Sequence, residues 1–157
     1  MERIYLDYNA TTPLSKEVFD FYVKELGEYA NGSSLHEDGR RVAASIEKAR
    51  KQVAHLINVD PKGVIFTSGG SESNNTVLNA MPEYAKKAGR SVIVTTAIEH
   101  PCVLEASRRL VNNFGMEVIY LPVDEYGTVD MDAYKAALEK KLLLVSIMTA
   151  NNEIGTI

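Results

Sequence analysis

Hydrophobic and polar positions recur along this chain with two different periods, and the periods predict alternating strands and helices. Short runs rich in apolar and β-branched residues predict four strands, at residues 64–67, 91–96, 117–123 and 142–148. Spacings of three and four between hydrophobic residues predict three intervening helices, at residues 73–88, 102–114 and 131–140. This strand-helix-strand order is typical of a parallel sheet, so the predicted fold class is α/β.

The region before the first predicted strand has a helical pattern of its own. A short extended piece at 4–7 and a polar turn precede a helix that we expect from Lys16 to about Glu28. A loop at 29–38 then leads into a long amphipathic helix that begins near Gly39. Further along the chain, Pro82 lies inside a predicted helix and removes a backbone donor. We therefore expect a break there, with Pro82 opening a second short helix.

Composition narrows the class of protein. The 157 residues are 45% hydrophobic and 24% charged, which is typical of a folded globular domain. A net charge of -4, with both signs scattered along the chain, argues against nucleic-acid binding and against a polybasic membrane surface. No apolar run approaches the roughly 20 residues of a membrane helix. The lone cysteine and the absence of a signal segment make the cytoplasm the expected compartment, and the histidine spacing predicts no metal site.

The chemistry-bearing residues follow predicted strands. After the first strand, the Ser68-Gly69-Gly70-Ser71 corner leads into a helix, and free amides at a helix start favour an anion such as a phosphate. The corner matches neither a P-loop nor a dinucleotide motif. A glycine turn that simply precedes a capped helix is the alternative interpretation.

Two other strands deliver polar side chains to the same edge of the sheet. His100 follows the second strand, and Asn151 and Asn152 follow the fourth, so all would face one crevice with the glycine corner. His100 as an ordinary hydrogen-bonded histidine and the asparagines as turn formers remain open. Cys102, at the start of a predicted helix, is best interpreted as a structural residue.

Five motifs in order give the chain a family resemblance. They are YLDYNATTP at 5–13, NGSSLHEDG at 31–39, FTSGGSES at 66–73, Glu99-His100, and VSIMTANNEIGTI at 145–157. With them the chain resembles the NifS-like or IscS-like cysteine desulfurases of the class V aminotransferase family, which use pyridoxal 5'-phosphate (PLP). The resemblance implies that Gly70 and Ser71, where the family usually has Ala-Thr, hold the cofactor phosphate. It also implies that His100 stacks on the pyridine ring and assists proton transfer, and that Asn152 bonds the phenolic oxygen.

The resemblance also implies a fold and its limits. The expected fold is an incomplete large domain of the PLP-dependent transferases, aminotransferase fold type I, with a mostly parallel sheet in the order 3-2-4-5-6-7-1. Residues 1–15 would be an arm that joins a C-terminal small domain, and 16–157 the N-terminal part of the large domain. The family's Schiff-base lysine, its aspartate at the pyridine nitrogen and its persulfide cysteine would all follow residue 157, and Cys102 does not stand in for the last.

The implied function is that of a cysteine desulfurase. Such an enzyme converts L-cysteine to L-alanine and delivers sulfur, as an enzyme persulfide, to an Fe-S scaffold or another acceptor protein for cluster or thio-cofactor assembly. The resemblance implies a homodimer, and we expect these 157 residues alone to be inactive. A selenocysteine lyase, another class V enzyme and a non-catalytic truncated interaction module are the alternatives.

Overall fold

The computed structural model describes residues 4–157, which form two compact units. One unit ends at Phe66 and the other spans Thr67–Ile157. The elements in chain order are α1 (Lys16–Leu26), α2 (Glu37–Leu56), a short 3-10 turn (Pro61–Gly63), α3 (Gly70–Ala88), β1 (Val92–Thr96), α4 (Pro101–Phe114), β2 (Glu117–Leu121), α5 (Met131–Leu138) and β3 (Leu142–Val145). The expected arm at 1–15 lies partly outside the described residues, and its place in a small domain stays a prediction.

The first unit contains the two helices expected before the glycine corner. The Ser15 hydroxyl accepts a hydrogen bond from the Val18 amide and caps α1, which begins at Lys16 as expected. Helix α2 starts two residues earlier than expected because Nδ1 of His36 accepts the Gly39 amide at 3.3 Å. A Cβ on Gly39 would lie 2.3 Å from the Ser34 carbonyl oxygen, so the loop before α2 requires glycine there.

The second unit is built on a three-stranded parallel sheet in the order β2-β1-β3. All five residues of the central strand β1 are buried, and alternate side chains enter cores on opposite faces. Ile93 packs with Leu78 of α3 and Leu110 of α4 on one face. Val94 packs with Leu121 and with Ala137 of α5 on the other. The α/β prediction is confirmed, and helices cover both faces of the sheet.

The predicted strand at 64–67 is wrong, since the structure forms no strand there among the described residues. Val64 has extended backbone angles, φ -88° and ψ 123°, but a strand also needs a hydrogen-bonded neighbour. The sheet order explains the missing neighbour. The observed β2-β1-β3 is the 3-2-4 portion of the family order, in which the first strand stands apart from these three.

The predicted break at Pro82 is also wrong, because α3 runs without interruption to Ala88. Leu78, Met81 and Ala85 lie on one face of this helix and pack against the same core, on both sides of the proline. That packing holds the helical path although Pro82 cannot donate a backbone hydrogen bond. Gly89, in the left-handed region at φ 63°, ends the helix. No helix in residues 4–157 has the length and apolar character needed to cross a membrane.

Candidate functional site

The glycine corner presents unused donors at the start of α3. Gly69 is the N-cap and contributes no side-chain cap, and the first amide of the helical ladder is Ser73, which donates to the Gly69 carbonyl at 3.1 Å. The amides of Gly70, Ser71 and Glu72 precede that ladder and have no intrahelical partner. The Ser71 hydroxyl makes no hydrogen bond to another residue of the described chain. The corner thus offers three amides and a hydroxyl to an anion.

The shape of the corner is fixed without those donors. The Thr67 hydroxyl bonds the Gly69 carbonyl at 3.1 Å and the Ser73 hydroxyl at 2.7 Å, and the Ser68 amide donates to the Glu72 carboxylate at 2.6 Å. These hydrogen bonds from Ser68, side chain first and then backbone, hold the pKa of Glu72 below its ordinary value. A Cβ built on Gly70 meets nothing within 4 Å, so there is open space beside the donors.

His100 is exposed and is held by the helix that it begins. It is the N-cap of α4, and its Nδ1 accepts a hydrogen bond from the Cys102 amide at 3.1 Å. Pro101 occupies the first helical position, where its missing N–H removes no helical bond. The ring is therefore anchored through one nitrogen, just beyond the carboxyl end of β1.

The two asparagines after β3 have separate environments. Asn151 is buried: its Nδ2 donates to the Ile98 carbonyl at 3.0 Å, and its Oδ1 accepts the amides of Glu153 and Ile154 at 2.9 and 3.1 Å. Asn152 is exposed, and its Nδ2 donates to the Glu153 carboxylate at 2.8 Å. The turn-former interpretation therefore suits Asn151, whereas Asn152 carries its amide at the surface of the loop.

Glu99 is a site residue whose role the sequence did not reveal. Its side chain is buried, and Oε1 accepts the Met148 amide at 2.7 Å and the Thr96 hydroxyl at 3.2 Å. Met148 follows β3 and Glu99 follows β1, so this carboxylate links the segments that leave the carboxyl ends of these two strands, here called the strand exits. The sequence indicated a role for His100 and none for Glu99. The only feature of the sequence that could have pointed to Glu99 is its position shortly after a buried strand.

Side-chain contacts link the chain segments that carry the predicted site residues. Asn74, one turn into α3 from the glycine corner, has its Nδ2 3.5 Å from the Cys102 sulfur, two residues after His100. Asn151 reaches back to the Ile98 carbonyl, two residues before His100. The segment 98–102, which contains His100, thus contacts both the first turns of α3 and the loop after β3. Cys102 packs against the core under α4, in agreement with a structural role.

Comparison with known proteins agrees with the fold and the motifs. A family model described as aminotransferase class-V matches residues 4–157. The chain belongs to the class V aminotransferase family. It is 46% identical over 155 residues to the cysteine desulfurase IscS of Dictyoglomus turgidum, covering 98% of this chain and 39% of that relative. It is 46% identical over 156 residues to the mitochondrial cysteine desulfurase of Saccharomyces cerevisiae, covering 98% of this chain and 31% of the relative.

A solved structure supports the same family assignment. A NifS-like protein matches with a TM-score of 0.92 and 39% sequence identity, over 99% of this chain and 43% of that one. The resemblance to class V aminotransferases and the expected fold are therefore confirmed. The chain spans less than half the length of each of these relatives.

Proposed function

We propose that this chain supplies part of the PLP site of a cysteine desulfurase, which converts L-cysteine to L-alanine and passes the sulfur on as an enzyme persulfide. The proposal is supported by two contacts between the elements that carry its residues: Asn74 of α3 with Cys102 of α4, and Asn151 of the loop after β3 with the Ile98 carbonyl. The relatives' name adds the reaction class, because the chain is 46% identical to proteins called cysteine desulfurases.

The residues present fit a phosphorylated pyridoxal. The amides of Gly70 and Ser71 and the Ser71 hydroxyl would hold the phosphate, in the open space beside the corner. The exposed His100 ring offers a face for stacking, and the Asn152 amide offers a donor for the phenolic oxygen. When bound, PLP supplies an electron sink that stabilises negative charge developing on the substrate. The chain's own contribution is to bind and orient that group.

The binding free energy that these contacts can supply without a covalent bond to the cofactor can be estimated. Two or three charge-assisted hydrogen bonds at about 1.5 to 3 kcal/mol each give about 3 to 9 kcal/mol. Association costs about 4 to 15 kcal/mol in lost translational and rotational freedom. The two ranges overlap, so non-covalent retention of the cofactor by these residues is weak. We therefore propose that residues 4–157 bind PLP weakly and need the Schiff-base lysine implied by the resemblance, which none of their own lysines provides, for turnover.

The proposal also covers the cellular compartment, the oligomeric state and the sulfur acceptor. We propose a cytoplasmic homodimer that hands persulfide sulfur to an Fe-S scaffold or another acceptor protein. The support is the name of the Dictyoglomus turgidum relative, cysteine desulfurase IscS, together with the dimer and the acceptor step that the family resemblance implies. Sedimentation equilibrium measures the dimer, and transfer of labelled sulfur from cysteine to a purified scaffold protein measures the acceptor step.

The test is product analysis on the protein expressed from its complete gene. With PLP, cysteine and a reductant, we expect alanine and sulfide in equal amounts, and strong loss of both in His100→Ala. Selenide formed from selenocysteine with no sulfide from cysteine would reassign the chain to a selenocysteine lyase, and a transaminated acid would reassign it to an aminotransferase. The 157 residues alone serve as the control, from which we expect no alanine. Absence of every product from the whole protein would refute the proposal and favour an interaction module.

A further inference from the structure

The loop that carries Asn152 lies against a tight turn that the proposed function does not use. This turn spans 124–128 and joins β2 to α5. Gly127 is in the left-handed region at φ 80°, and a Cβ built on it would lie 2.3 Å from Ile154 Cδ1, 3.2 Å from Thr156 Oγ1 and 3.4 Å from Ile98 Cδ1. Ile154 Cδ1 therefore lies closer than a Cβ allows, Thr156 Oγ1 would be in tight contact, and Ile98 Cδ1 would be close to ordinary contact distance. The first two belong to the loop after Asn152.

The turn is itself well fixed. The Asp124 carboxylate accepts the amides of Tyr126 and Thr128 at 2.9 and 2.8 Å, and the Gly127 amide donates to the Asp124 carbonyl at 3.1 Å. Val123 pairs with Val129 across the base of the turn. These bonds make the 124–128 segment a firm surface for its neighbour.

Hydrogen bonds carry the position of the turn into the asparagine loop. The Thr156 hydroxyl donates to the Tyr126 carbonyl at 2.5 Å. The Asn151 amide donates to the Thr156 carbonyl, and the Gly155 amide donates to the Asn151 carbonyl, each at 2.9 Å. Residues 151–156 thus form a loop closed by hydrogen bonds at Asn151, with Asn152 next to that base. We therefore expect a displacement at Thr156 to shift Asn151 and its neighbour.

We propose that the 124–128 turn, with Gly127 at its tip, is a positioning element that sets where the Asn152 amide lies. The expected effect on cofactor binding rests on the proposed function, in which the Asn152 amide bonds the phenolic oxygen of PLP. The turn touches no proposed cofactor ligand directly. It acts through Ile154 and Thr156.

The test compares two glycines that both lie in the left-handed region of backbone angles. Gly89 is also left-handed, at φ 63°, but a Cβ built on it meets nothing within 4 Å. Gly127→Ala and Gly89→Ala, made in the protein expressed from its complete gene, both carry the left-handed strain, and only the first collides with the loop. We expect Gly127→Ala to weaken PLP binding about tenfold relative to Gly89→Ala, the loss of one hydrogen bond. We also expect a changed visible absorbance of the bound cofactor, a signature that general destabilisation would not produce.

Two further measurements distinguish a displaced Asn152 loop from general destabilisation of the protein. Gly127→Ala/Ile154→Ala removes the 2.3 Å collision and should restore most of the affinity and the absorbance. The Asn152 backbone amide shift in 1H–15N spectra without cofactor should move in Gly127→Ala and not in Gly89→Ala. Equal behaviour of the two alanine variants, with the exposed Ile154 side chain rotating aside, would overturn the inference. A parent protein that binds no PLP would instead refute the proposed function, while the amide shift still decides whether the turn positions the loop.

Discussion

Substitution of Glu99 tests whether the two strand exits are held together as the structure indicates. Its buried carboxylate accepts hydrogen bonds from Met148, 49 positions later in the chain, and from the nearby Thr96 hydroxyl. Glu99→Ala removes the acceptor for both donors, and leaves the Thr96 hydroxyl buried and the Met148 amide partly buried. Glu99→Gln keeps the size of the side chain and one oxygen that can still accept the Met148 amide.

The size of the effect follows from the number of donors left without a partner. An unsatisfied buried donor costs about 1 to 3 kcal/mol, and the partly buried Met148 amide costs at most as much, so Glu99→Ala should lower the free energy of unfolding by about 1 to 6 kcal/mol. Glu99→Gln should cost about 0.5 to 1.5 kcal/mol, since it replaces charge-assisted bonds by neutral ones. Domains of ordinary size are stable by about 5 to 15 kcal/mol, so the glutamine variant is the one expected to remain fully folded.

Urea denaturation followed by far-UV circular dichroism measures these differences, and a double-mutant cycle assigns them. Thr96→Val removes one of the two donors while keeping the shape of this buried side chain. In the cycle of Glu99→Gln with Thr96→Val we expect a coupling energy of about 0.5 to 1.5 kcal/mol. Costs that add to within about 0.3 kcal/mol, together with a loss below about 1 kcal/mol for Glu99→Ala, would refute the hydrogen-bonded link between the two exits.

Three more predictions concern single groups. Ser71→Ala should weaken PLP binding about 10- to 150-fold by removing one charge-assisted bond, while Thr76→Val, which loses a hydroxyl bonded within the same helix, should change binding less than about twofold in a spectroscopic titration. Thr95→Val should raise the free energy of unfolding by about 1 to 3 kcal/mol, because the Thr95 hydroxyl is buried without a partner in the described chain; an unchanged denaturation midpoint would contradict this. Ser68→Ala should raise the pKa of Glu72 toward its ordinary 4.5 in an NMR pH titration. Since the folded pKa is depressed, the contribution of Glu72 to stability is complete above that ordinary value and is lost as the pH falls through the depressed one.

The sequence predicted most elements of the second unit because their patterns were strong and local. All five residues of β1 are β-branched, as expected of a strand, and the helix at 102–114 needed one added residue, Pro101. The strand at 64–67 was predicted wrongly because β-rich composition reports a preference for extended backbone and says nothing about a pairing partner. Pro82 was overinterpreted for a related reason, since tertiary packing of Leu78 and Ala85 outweighs one missing hydrogen bond.

The sequence predicted which types of residue form the candidate site, but it did not predict the role of each one. Parallel-strand logic placed His100 and the asparagines at one edge, and the contacts through Ile98 agree. Which of Asn151 and Asn152 is buried depends on the turn geometry of the loop, which two identical letters cannot encode. The roles of Glu99 and Gly127 depend on contacts with residues 27 to 49 positions away in sequence, so no local pattern could have revealed them.

The cap at the start of α4 restricts what the His100 imidazole can do. Because Nδ1 accepts the Cys102 amide, the neutral ring carries its hydrogen on Nε2 and presents a donor to anything beside it. With Nδ1 occupied by the cap, Nε2 is the ring atom left to meet a neighbour, and that neighbour has to accept a hydrogen bond there rather than donate one.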